Sequence, residues 1–354
     1  MNKLRKKNDL SFFLVCLKIG IGALIYRGSL DLLSVIIVPA VLVVGMLAPE
    51  NVALSNSISY LLTGVVSVIA FLLAAIFLWI FLRIGRKGSY RPTYWGVHIP
   101  LVTPFLIVAT IALNFAMAEI NAMLVALLSP GVDISLGIVG AGEISLIEII
   151  LLIISTAVIP GIVEEIMFRG IILTNLAPYG KGMAIVASAF LFGLMHMNPS
   201  QFFYTTLMGI TLGYIYVKTR SIWICMVIHF TNNALGVLQQ IFYQCYDIGK
   251  ADELSAIMMI IVATLGMVSV GALLIARAID RKKAPEEIGS FGRIYTPALS
   301  YEERQVTKWG KIPLFFSSSV SVFTVVVFAS MISTMLSILG IGLLMGFFPG
   351  VFTV

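Results

Sequence analysis

Charge is scarce in this chain. Asp, Glu, Lys and Arg make up 11% of its 354 residues, where a soluble domain carries roughly 25%. Seventeen acids and 23 bases leave a formal net charge of +6. That is too little to solvate a globule of this length, and hydrophobic residues fill 59% of the sequence. The deficit excludes a soluble multidomain protein and a disordered chain alike. Cysteine is nearly absent: Cys16, Cys225 and Cys245 show no framework spacing, which excludes a disulfide scaffold. No internal repeat is visible, which weighs against an inverted-repeat transporter. The slight basic excess does not point to nucleic acid, because its placement has a membrane explanation.

What the sequence does have is long apolar runs, and the mean hydropathy is +1.03. A spanning helix needs about 20 mostly apolar residues. Nine runs qualify as candidates: 30–48, 58–82, 100–128, 146–173, 183–197, 202–217, 222–244, 255–276 and 314–346. The run 183–197 reaches only about 22 Å at 1.5 Å per residue, so it thins the bilayer or stays covered by protein. The predicted fold is therefore all-α, a multi-pass bundle of about nine transmembrane helices in the cell membrane.

Basic residues orient it. Lys3, Arg5, Lys6 and Lys7 place the N-terminus in the cytoplasm. With 10–27 lying along the membrane surface, as Lys18 and Arg27 suggest, the inner loops collect every Lys and Arg except Lys18, Arg169 and Lys250. A cleaved signal peptide would also begin with basic residues, but Lys18 interrupts the apolar stretch and no small-residue cleavage site follows. Three regions result: 1–145, with the surface segment and three spans; 146–244, with four; and 245–354, with two spans around a cytoplasmic loop at 277–312. Cys245 is expected in a short outer loop, and His98 at a membrane edge.

Ionisable groups inside spans are costly, so each is a functional hypothesis. The run 146–173 contains Glu164, Glu165 and Arg169, and the runs 183–197 and 222–244 contain His196 and His229. Glu165 and Arg169 stand at i and i+4 with the acid first, the favourable order for a helical ion pair. Glu164 is then left over on another face. Burial without a cation is the general way a carboxylate becomes able to exchange protons near neutral pH. Pro160 and Gly161 should free backbone carbonyls one turn earlier. Phe192 and His196 share a helix face at i, i+4, as do His229 and Asn233.

Glu164 with His196 would form a pair able to hold and deprotonate a water. His229 with Asn233 would suit stabilising a tetrahedral oxyanion. A buried ion cluster that merely locks helices together is the competing reading of the same residues. A divalent metal such as zinc, on Glu164, His196 and His229, is chemically legitimate. The H-E-x-x-H helix is absent, however, so spacing does not favour it over direct water activation. Depth arithmetic puts Glu164 about 13 Å and His229 about 10 Å from the inner ends of their spans, but His196 about 20 Å. A cavity open to the cytoplasm follows, with His196 as the residue that fits least well.

EExxxR (Glu164, Glu165, Arg169), FxxxH (Phe192, His196) and HxxxN (His229, Asn233), in that order on successive apolar helices, resemble the CPBP family. These are intramembrane proteases that take in the type II CAAX prenyl endopeptidases and bacterial Abi proteins of bacteriocin processing or immunity. The resemblance covers about 146–240 and makes 146–244 the expected catalytic core. It implies an intramembrane endopeptidase acting on a membrane-associated protein or peptide. Glu164 and His196 would activate the water, His229 and Asn233 would hold the oxyanion, and Glu165, Arg169 and Phe192 would support them. The family is usually called metal-dependent, and a metal-free glutamate mechanism has also been argued for it.

Two other functions compete. An ion-coupled transporter could use Asn114, Glu119, Asn121 and Glu148, although interhelical glue explains the asparagines as well. A catalytically silent immunity or scaffold protein would need none of the acid–base chemistry.

Overall fold

A computed structural model describes residues 2–47, 52–83, 95–96, 101–128, 144–196 and 199–280. Every regular element among them is helical. The helices are α1 (Asn2–Leu47), α2 (Val52–Arg83), α3 (Thr103–Leu128), α4 (Leu146–Tyr179), α5 (Lys181–Met195), α6 (Pro199–Thr219), α7 (Ile222–Cys245) and α8 (Ile248–Asp280). An isolated β-bridge joins Trp95 to Ser221.

All but one of the predicted spans fall on these helices, and 314–346 lies outside the described residues, as do His98 and most of the loop 277–312. Six helices are long and apolar enough to cross a bilayer, in windows within α1, α2, α3, α4, α7 and α8. The protein is a multi-pass membrane protein. α5 has 15 residues, about 22 Å against a hydrocarbon core of about 30 Å. α6 is interrupted by Gln201, Thr205, Thr206 and Thr211. Two boundaries differ from the sequence reading. The surface segment 10–27 and the run 30–48 form one 46-residue helix, α1. Cys245 ends α7 instead of occupying a loop, because α8 already begins at Ile248.

The helices sort into two compact units. One contains α1, α2 and α4 up to Val163, and the other contains α3, α4 from Glu164, and α5 to α8. In the first, Gly22 of α1 faces Leu78 of α2 so closely that a Cβ would lie 2.5 Å from the leucine side chain. A capping box starts α4. Ser145 Oγ accepts the Glu148 N–H at 3.2 Å, and Glu148 Oε2 accepts the Ser145 N–H at 2.9 Å. Glu148 Oε1 also accepts from Asn56 Nδ2 of α2 at 3.0 Å. Glu148, weighed above as an ion-path residue, thus has both oxygens engaged in holding a helix start.

In the second unit, small residues set the helix spacing, as they do where lipid removes the hydrophobic drive to associate. A Cβ on Gly209 of α6 would lie 2.8 Å from Ala189 Cα of α5, and one on Gly193 would lie 2.1 Å from Thr206 Oγ1. Between α3 and α8, a Cβ on Gly266 would meet Ala112 Cβ at 2.2 Å. Many outward-facing side chains are large and apolar, for example Leu265, Met267 and Val268 of α8, as expected where lipid is the solvent.

Candidate active site

α4 is not a uniform α-helix. It widens to π-helix over Ile154–Val158 and again over Ile166–Leu173. The first widening lies just before Pro160, which has no N–H to continue the ladder. The second begins immediately after Glu165, and side chains take up the carbonyls that the wider turn loosens. Ser188 Oγ donates to Phe168 O at 2.8 Å, Thr174 Oγ1 to Arg169 O at 2.9 Å, and Asn175 Nδ2 to Ile171 O at 2.8 Å. Three carbonyls of the irregular stretch are thus engaged; it carries Arg169 and follows directly on Glu164 and Glu165.

Arg169 and Glu165 form the expected i, i+4 pair, with Nη1 donating to Oε1 at 2.7 Å. Both are sealed from solvent, at 1% and 0% exposure. The close approach at Gly209 lets its carbonyl accept from Arg169 Nη2 at 3.4 Å. The guanidinium also lies over the Phe192 ring, 4.7 Å from its centroid. Glu165 Oε1 has a second partner, His229 Nδ1, at 2.8 Å, while Glu165 Oε2 is buried with no hydrogen-bond partner. With its Nδ1 proton committed to Glu165, His229 turns Nε2 the other way. There it faces Glu164 Oε2 at 3.8 Å. A carboxylate that fixes an imidazole's tautomer in this way leaves the far nitrogen for chemistry.

Glu164 is the accessible member, with a side chain 19% exposed where His229 is 3%. The sequence reading paired Glu164 with His196, but the structure puts His229 next to it. His196 follows the last residue of α5, and its Nδ1 donates to Phe192 O, 2.9 Å away. Phe192 links the two histidines: His196 meets its ring edge-on at 4.9 Å between centroids and His229 at 5.8 Å.

One residue near the site carried no sequence signal. The Tyr204 hydroxyl of α6 accepts from Asn232 Nδ2, and Asn232 is buried with its Oδ1 unpartnered. Its neighbour Asn233 is half-buried. Tyr204 sits in an apolar run with no spacing relation to either motif, so nothing marked it in advance. The Gly209 carbonyl was equally invisible, since only helix packing brings it to Arg169.

Among the described residues, no three His, Cys, Asp or Glu side chains are grouped as a metal site requires. Glu164 and His229 converge, and the Glu165 bond at His229 Nδ1 leaves Nε2 as the nitrogen a metal would use, but His196 does not join them in a set of three. As placed, Glu164, His196 and His229 do not make the three-ligand set of a zinc centre. The transporter residues are also placed. Asn114 Oδ1 accepts from Thr211 at 3.3 Å, tying α3 to α6, and Glu119 is on the exposed surface of α3.

Comparison with known proteins agrees with the motifs. Residues 146–235 match the family model for "Type II CAAX prenyl endopeptidase Rce1-like" proteins. Over 94 residues the chain is 33% identical to "Putative membrane peptidase YdiL" of Bacillus subtilis (strain 168). That stretch covers 26% of this chain and 38% of the relative, so the chain spans well under half the length of the curated protein it matches. No solved structure matches. The matched segment contains Glu164, Glu165, Arg169, Phe192, His196, His229 and Asn233, and the family it points to is the one those residues resemble, the CAAX-type intramembrane proteases.

Proposed function

We propose that this chain is an intramembrane endopeptidase that hydrolyses a peptide bond in a membrane-associated protein or peptide. Glu164 takes a proton from water as the water oxygen attacks the scissile carbonyl carbon. The carbonyl oxygen becomes an oxyanion, and His229, with Asn233 one turn on, steadies it. The protonated Glu164 then gives its proton to the leaving nitrogen as the C–N bond breaks. His196, joined to the same aromatic ring as His229, is the second group acting on the water.

One observation carries this reading, the chain Arg169–Glu165–His229 with Glu164 beyond it. A cluster that only locked helices together would use both glutamates against the one arginine. Here Glu165 alone takes the arginine, and it also orients the histidine whose free nitrogen looks at Glu164. For His229 Nε2 to donate to an oxyanion the ring must carry both protons, and the Glu165 carboxylate is placed to accept the one on Nδ1. Tight fixation of the donor before reaction is what makes such stabilisation effective.

The test is proteolysis in reconstituted liposomes, offering peptides and single-span proteins to wild type, Glu164→Gln, His196→Ala and Glu119→Gln, with and without chelator. Loss of a general base lowers turnover by roughly 10²–10⁴-fold. That loss is expected for Glu164→Gln and a comparable one for His196→Ala, with Glu119→Gln unaffected. Cleavage surviving in Glu164→Gln would end the catalytic assignment, and cleavage abolished by chelator would require a metal elsewhere.

A further inference from the structure

Away from these residues, α3, α6 and α8 line a cavity of about 540 Å³, within the roughly 300–1,000 Å³ of ligand sites. Its walls are apolar: Leu106 of α3, Ile215 of α6, and Val270, Leu273 and Leu274 of α8. Two cations stand in its lining, Lys218 in the last turn of α6 and Arg277 in the last turn of α8. Neither has an acidic partner among the described residues, unlike Arg27, Arg169 and Lys250, which are each ion-paired. Lys218 instead lies 5.6 Å from the centre of the exposed Tyr214 ring.

Neighbouring residues give the depth of this end of the bundle. Trp223, in the first turn of α7, packs against Trp95 at 5.5 Å, and both are about half exposed. Exposed Trp and Tyr beside Lys and Arg mark the headgroup level of a membrane. The cavity therefore has its charged rim at the headgroups and its apolar walls towards the hydrocarbon. Basic pockets between transmembrane helices are suited to anionic lipid headgroups.

We propose that this cavity is a binding site for an anionic phospholipid, with one acyl chain along Leu106, Ile215, Val270 and Leu274 and the phosphate between Lys218 and Arg277. The complementarity is of both kinds at once: an apolar slot for the chain and, for the headgroup, two cations with no acidic partner among the described residues. The site needs no catalytic residue, and it stands or falls separately from the protease reading.

The experiment uses the full-length protein in detergent with a photo-reactive phosphatidylglycerol bearing the label in its acyl chain. Crosslinks are expected on the α6 and α8 residues that line the cavity. Unlabelled phosphatidylglycerol should compete, whereas phosphatidylcholine and inorganic phosphate should not. The double variant Lys218→Gln/Arg277→Gln should bind about 25-fold more weakly, from about a fivefold contribution by each cation. Lys250→Gln, which removes an equal charge at the other end of α8, should bind normally. Leu274→Trp, which fills the slot and keeps both charges, should also lose the crosslink. Equal competition by phosphatidylcholine would make the site a neutral acyl groove, and competition by phosphate would make it a free-anion site. Either result overturns the proposal, as does labelling of the chain's own residues 281–354 or labelling spread evenly over the helices.

Discussion

The two adjacent glutamates of α4 have different environments, and substitution should separate them. Glu165 is sealed between Arg169 and His229, whereas Glu164 is partly open. Glu164→Gln should leave thermal unfolding in detergent unchanged while turnover falls. Arg169→Met should do the reverse to the fold, costing about 3–5 kcal/mol because a buried carboxylate is left without its cation. Adding Glu165→Leu to Arg169→Met should recover part of that loss, since replacing both members of a buried pair is cheaper than removing one. Equal destabilisation in the single and double variants would show that the pair itself is not what holds this region. The i, i+4 spacing made the Glu165–Arg169 pair legible in the sequence, and the same spacing linked Phe192 with His196. Spacing within one helix could not say which histidine faces Glu164, because that depends on how α5 and α7 meet α4. The Tyr204–Asn232 contact was hidden for the same reason.

At the scale of helices, the small residues decide which pairs can approach. Gly266→Ala should destabilise the α3–α8 contact by roughly 1–3 kcal/mol, the usual cost of overpacking. The obstructing atom is the Ala112 Cβ, and the next nearest is 3.7 Å away. Ala112→Gly should therefore restore most of the stability lost to Gly266→Ala, a coupling readable by a double-mutant cycle on unfolding in detergent. An additive result would mean that α3 and α8 move apart instead. The positions of the helices were legible because an apolar run of about 20 residues has few alternatives. The π-helical segments of α4 were not, although Pro160 correctly marked a disturbed turn. The extra width of the second is maintained by Ser188, Thr174 and Asn175, all of which lie beyond the motif that drew attention. The union of 10–27 with 30–48 into one helix was also unreadable, since Lys18 argues for a surface position and cannot reveal whether the helix stops.

For the molecule as a whole, the charge asymmetry predicts that the end of α6 faces the cytoplasm and the α7–α8 turn faces outward. In cells carrying Cys245→Ser, a cysteine at Asp247 should react with an impermeant maleimide from outside, and one at Lys218 only after permeabilisation. The opposite pattern would invert the topology and place the Glu164 side of the site on the other face. The order of synthesis gives the Arg169–Glu165 bond a further role. Its two partners lie on one helix, so the arginine can enter the bilayer already neutralised, before α6 or α7 has been made. His229 and the Gly209 carbonyl arrive later and find a settled dipole instead of a bare cation. Glu164 has no such escort within α4 and meets its only described basic neighbour, His229, when α7 is inserted. The residue proposed as the base is thus the last to acquire its surroundings, and the proposed reactive arrangement does not exist until most of the helices are in place.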